Sequence, residues 1–92
     1  MDFKFINNNS NILFIVFNSN NYDSNKFEFE NYLNNYFKNK NPPSYLFFRD
    51  IYLQWYYNGI RGFSKNYQET INKLTKIIQK YNFKFTICMG SS

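Results

Sequence analysis

The chain has 92 residues and so room for one small domain, residues 1–92, with a thin core. Its net charge of +5 is scattered over separate segments rather than gathered in a stripe with stacking aromatics, which argues against a nucleic-acid surface. No apolar run approaches the about 20 residues needed to cross a bilayer. The start at Met1–Lys4 lacks the basic region and apolar stretch of a signal peptide, so a reducing, cytoplasmic setting is expected.

The composition is skewed. Aromatic residues make up 24% of the chain, enough to dominate whatever core forms. The surplus of Asn, Lys, Phe, Tyr and Ile, with no alanine, is the codon signature of an AT-rich genome and carries no function.

In chain order, Phe3–Ile6 alternates apolar and polar residues as a half-buried edge strand would. A polar, turn-rich loop follows at 7–11. Ile12–Phe17 is apolar throughout and β-branched or aromatic, which predicts a strand buried on both faces. A second polar loop spans 18–25.

A helix is expected over 26–38, opened by a capping box between Asn25 and Glu28. Phe29, Leu33, Tyr36 and Phe37 would form its apolar face. Pro42 and Pro43 forbid continuation. Tyr45–Phe48 reads as a second buried strand, with Arg49 and Asp50 as a strand-end pair facing solvent or lining a site. Residues 51–65 read as a helical turn or an aromatic loop; Trp55 with Tyr56 and Tyr57 would cover the core or stack on a sugar.

The strongest helix signal lies at 66–81. Asn66 and Glu69 offer a capping box, Tyr67, Ile71, Leu74, Ile77, Ile78 and Tyr81 an apolar face, and Asn82 a stop. A third buried strand, 83–89, follows. Cys88 is the single cysteine, so no internal disulfide forms, and its place in an apolar run reads as core.

Strands alternating with helices imply parallel strands joined by crossovers. The expected architecture is α/β: a three-layer partial parallel sheet of three to four strands with two crossover helices. Two helices cannot cover such a sheet fully. Phe14, Val16, Phe47 and Ile87 should be incompletely shielded, giving marginal stability and an exposed edge. That edge invites a second copy or a complementing chain, which makes a small interaction module one reading of function.

No Cys/His spacing for a metal and no glycine-rich phosphate loop is present, so no metal or cofactor is expected. Glu28 and Glu30 point to different sides of a helix and make no glycosidase pair.

Phe85–Ser92 reads as a strand leading into Gly90-Ser91-Ser92, the opening of a G-x-S-x-G nucleophile elbow. Three segments carry a family resemblance: Ile12–Phe17; Leu46–Asp50 with Trp55, Tyr56, Gly59 and Ile60; and Thr86–Ser92. Together they resemble the N-terminal half of a bacterial α/β-hydrolase-fold group found beside capsule and surface-polysaccharide genes, in which the third segment continues as G-x-S-M-G-G.

The resemblance implies Ser92 as nucleophile, backbone around Asn18 and Ser19 as the loop that helps bind the oxyanion, and Asp50 and Trp55 as site-lining residues. It also implies that the acid and histidine of the triad lie downstream. The 92 residues contain no histidine at all. The expectation is therefore an incomplete α/β-hydrolase-like domain, inactive alone or completed as an esterase or acyltransferase by another chain.

Overall fold

The computed structural model describes residues 2–18, 26–49 and 59–90. Ser19, Asn25, Asp50, Trp55 and Ser92 lie outside the described residues, as does the whole of the aromatic stretch 51–57.

Six elements follow in order: β1 Phe3–Ile6, β2 Ile12–Phe17, α1 Glu30–Tyr36, β3 Ser44–Phe48, α2 Tyr67–Lys80 and β4 Phe85–Met89. The four strands form one sheet in the order β1-β3-β2-β4. β2 runs parallel to both β3 and β4, pairing Phe14 with Tyr45 on one side and with Ile87 on the other.

β1 runs antiparallel to β3, with Phe3 opposite Phe48. The sheet is thus mixed, which corrects the expectation of a parallel one. The cause is the connection. A parallel return needs a crossover of about a dozen residues or more, and only residues 7–11 separate β1 from β2. That short loop passes over the start of β3 and is stitched to it. Asn8 donates from its backbone to Ser44 Oγ at 3.0 Å and from its amide to the Pro43 carbonyl at 2.9 Å.

The two helices lie on opposite faces. Leu13, Ile15, Leu46 and Phe48 pack with Leu74, Ile77 and Ile78 of α2. Val16, Tyr45 and Phe47 pack with Leu33 of α1. This division follows from handedness. The crossover from β2 to β3 runs one way along the sheet and that from β3 to β4 runs back over β2, so one hand puts the helices on opposite sides. The three-layer expectation holds for the centre of the sheet. Val16 and Phe47 are fully covered, Phe14 is half-covered, and Ile87 is 45% exposed.

Helix α2 begins where its cap predicts. Asn66 accepts a hydrogen bond from the Glu69 N–H at 2.8 Å. Asn82 ends it with φ +55°, the left-handed residue of a Schellman turn in which Phe83 N–H reaches the Ile78 carbonyl at 3.2 Å. Its buried face is rotated from the expected one. Tyr67, Ile71 and Tyr81 are exposed, while Thr70 is buried through a 2.6 Å bond to Ser64 Oγ.

Helix α1 starts four residues later than the expected 26. Lys26 and Glu28 are held by the Asn18 side chain before the helix begins, and no side chain caps Phe29. Leu33 is buried and Phe37 half-buried, but Tyr36 points out and stacks with Tyr32.

Strand β4 is the largest departure. Its apolar run reads as buried, yet Phe85 is 62% exposed and Cys88 is exposed, because β4 occupies the end of the sheet and only Met89 packs against the α1 cluster. Among the described residues no helix is long and apolar enough to cross a membrane.

Candidate functional site

β2, β3 and β4 all end on the same side of the sheet, and the chain reverses its progress along the sheet at β2. Open α/β sheets bind ligands outside the carboxyl ends of the strands at such a reversal. Here that point lies between the ends of β2 and β4, where Val16 is paired with Met89.

Two backbones meet closely there. A Cβ added to Gly90 would stand 3.2 Å from the Phe17 carbonyl oxygen and 3.4 Å from Phe17 Cβ. Position 90 therefore favours glycine: the ends of β4 and β2 are so near that a side chain would need Phe17 to give by a few tenths of an ångström.

Asn18 follows directly and is buried. Its side chain clamps the far end of the loop that leaves β2. The amide donates to the Lys26 carbonyl, and Oδ1 accepts the Glu28 N–H at 2.7 Å. Its own backbone N–H goes to the Phe48 carbonyl at 3.0 Å. Asn18 thus ties three segments together: the end of β2, the end of β3 and the approach to α1. Both its side chain and its N–H are spent on the fold.

At the β3 end stands a cluster that sequence reasoning did not find. Asp2 is 1% exposed. Its Oδ1 accepts from Arg49 Nε at 3.1 Å and from Arg61 Nη2 at 3.2 Å. Backbone bonds lock the same three residues, Arg49 N–H to the Asp2 carbonyl at 2.9 Å and Asp2 N–H to the Arg61 carbonyl at 3.1 Å. The Arg49 guanidinium also lies 5.0 Å from the Phe27 ring centre. Arg49, read from the sequence as facing solvent or lining a site, is mostly buried. No local pattern signals this, since Arg49 and Arg61 stand 47 and 59 residues from Asp2.

Of the sequence-predicted site residues, Asn18 is described and lies just past the end of β2. Ser19, Asp50, Trp55 and Ser92 fall outside the described residues. Among the described residues no group of three or more His, Cys, Asp or Glu could hold a metal ion.

Among the described residues, hollows open at three further places. One of about 450 Å³ lies among Asn8, Asn9, Asn11 and Asn41 at the opposite end of the sheet. One of about 230 Å³ lies by Ser64, Lys65 and Lys73 at the start of α2. The third, about 280 Å³ and largely apolar, lies between α1 and β4 and is lined by Phe14, Tyr32, Leu33, Tyr36, Phe37 and Met89.

Tyr45 has its hydroxyl pushed above the usual tyrosine range by burial. It stands at the start of β3, away from the strand ends, and its hydroxyl has no hydrogen-bond partner among the described residues. A buried hydroxyl left unpaired costs about 1–3 kcal/mol. Tyr45→Phe should therefore raise stability by about 1 kcal/mol in urea unfolding. The gain should widen above pH 10.0, where the unfolded tyrosine ionises before the folded one. A destabilised Tyr45→Phe protein would show that the hydroxyl is satisfied.

No family model matches the chain, and no similar protein was found among curated proteins or solved structures.

Proposed function

We propose that the chain forms the front half of an α/β-hydrolase-like scaffold, with Ser92 at the nucleophile position, and that these 92 residues do not cleave esters by themselves. The fit of Gly90 against Phe17 carries the reading. A nucleophile elbow is a tight strand-to-helix turn that needs glycine where neighbouring backbone comes close.

Three features of the surroundings support it. β4 follows a crossover helix, it ends where the strand order reverses, and the loop after β2 leaves from the same end. In such enzymes a loop in this position supplies one N–H of the oxyanion hole. Asn18 spends its N–H on Phe48, so in this reading it holds the loop while Ser19 donates. Asp50 and Trp55, which follow β3, would line the space above the strand ends.

The inactivity rests on composition. The sequence has no histidine, and a serine hydroxyl without a base stays un-ionised at neutral pH. The histidine base must then come from residues outside these 92, on the same or another polypeptide, and the resemblance puts its acid partner there too.

Two measurements test the two halves of the proposal. With a p-nitrophenyl ester, the chain and its Ser92→Ala variant should give the same background rate; turnover that depends on Ser92 overturns the inactivity. The genomic sequence downstream of codon 92, read in all frames, should encode Met-Gly-Gly and then an apolar-faced helix. Unrelated sequence in every frame overturns the scaffold.

A further inference from the structure

We infer that the free edge of β4 is a self-association site, taking the β4 of a second copy of this chain antiparallel across a twofold axis at Ile87.

β4 is an end strand, and no described residue pairs with the outer row of its backbone N–H and C=O groups. Natural sheet edges are blunted by charge, proline or a bulge. The opposite edge, β1, has Lys4 paired with Glu30. β4 has none of these devices: Phe85–Met89 carries no charge and no proline, and Phe85 and Ile87 are 62% and 45% exposed.

The pattern along β4 selects the occupant. Side chains alternate across a strand, so Phe85, Ile87 and Met89 share the α1 face. Phe85 projects as a knob. Met89, four residues on, forms one wall of the 280 Å³ apolar groove with Phe14, Leu33 and Tyr36. Antiparallel pairing with Ile87 opposite Ile87 sets Phe85 of each copy beside Met89 of the other, at the open side of that groove. One strand thus carries both halves of the contact in twofold register. An extended partner of another sequence would need to reproduce that knob by coincidence.

Charge agrees with the same register. Lys84 is the one charged residue at the ends of β4. Antiparallel pairing sets it opposite Gly90 and holds the two lysines roughly 20 Å apart, beyond the roughly 8–10 Å screening length of physiological salt. Parallel pairing would put Lys84 beside Lys84 and α1 on opposite faces. The assembled sheet would have eight strands with both ends formed by β1.

Size-exclusion chromatography with light scattering at tens of micromolar tests this. The expected mass is twice the 11.3 kDa of one chain. Ile87→Lys and Phe85→Lys should each return the mass to 11.3 kDa with an unchanged far-UV circular dichroism spectrum. Phe85→Lys guards against misfolding, since its side chain is mostly in solvent already. A wild-type monomer, a dimer indifferent to both lysines, or species larger than a dimer would overturn the inference, because a twofold contact closes at two copies.

Discussion

Gly59→Ala should remove about 3 kcal/mol of stability. Gly59 is buried with φ +85°, a conformation that costs an L-residue about 1–2 kcal/mol. An added Cβ would also stand 2.5 Å from the Ser64 carbonyl oxygen and 2.7 Å from the Asn66 nitrogen. Both are backbone atoms, and neither can retreat alone. Ser64 and Ile60 are joined by two backbone bonds, at 2.8 and 3.1 Å, in a turn that sends Ile60 and Phe63 into the core. Asn66 caps α2. The clash therefore reaches the core and the helix start together, adding about 1–3 kcal/mol.

For a domain of this size the loss corresponds to a fall of roughly 15 °C in Tm. Gly62→Ala is the control. Gly62 is exposed with φ +86° and should lose only about 1 kcal/mol. Urea midpoints of the two variants decide the matter; a Gly59→Ala protein as stable as Gly62→Ala would show that the turn yields freely.

Asp2→Ala should cost about 3 kcal/mol, although it lies one residue from the chain start. Removing one partner of a buried ion pair costs about 3–5 kcal/mol, because the other charge stays behind in a poor solvent. Asp2 is 1% exposed and Arg49 18%, so that pair falls under this rule, while Arg61 at 51% is screened and adds little. Lys4→Ala provides the contrast. It removes the Lys4–Glu30 pair, whose lysine is 47% exposed, and should change stability by no more than about 0.5 kcal/mol. Equal urea midpoints for the two variants would mean that the Asp2 cluster is decorative.

The elements that could be read in the sequence are those whose signals are local. Ile12–Phe17 is apolar without a break because both its faces are covered, and the strand has those ends. Asn66 with Glu69, and Asn82, mark α2 through bonds to their own neighbours. The misreadings share a different cause. The alternation of Phe3–Ile6 gives the burial of β1 but not its direction, which the length of loop 7–11 decides. An apolar run tells that β4 is a strand, but only the strand order tells that it is an edge. Tyr67 and Ile71 fit a helical stripe, yet the bond between Ser64 and Thr70 turns α2 away from them.

The candidate site divides in the same way. The positions of Gly90 and Asn18 beside strand ends could be read locally, because each directly follows an apolar strand. Asp2 was not, since its meaning depends on two arginines that only the finished fold brings near.

The pairing of β1 with β3 has a consequence for biosynthesis. Phe3 emerges from the ribosome well before Phe48, the residue it must face. At translation speeds of about 5–20 residues per second, the segment waits roughly 2–9 s for its neighbour to be made. Throughout that interval Phe3, Phe5 and Ile6 lack the strand they pair with, and a chaperone that binds apolar segments would meet them before any of this sheet exists.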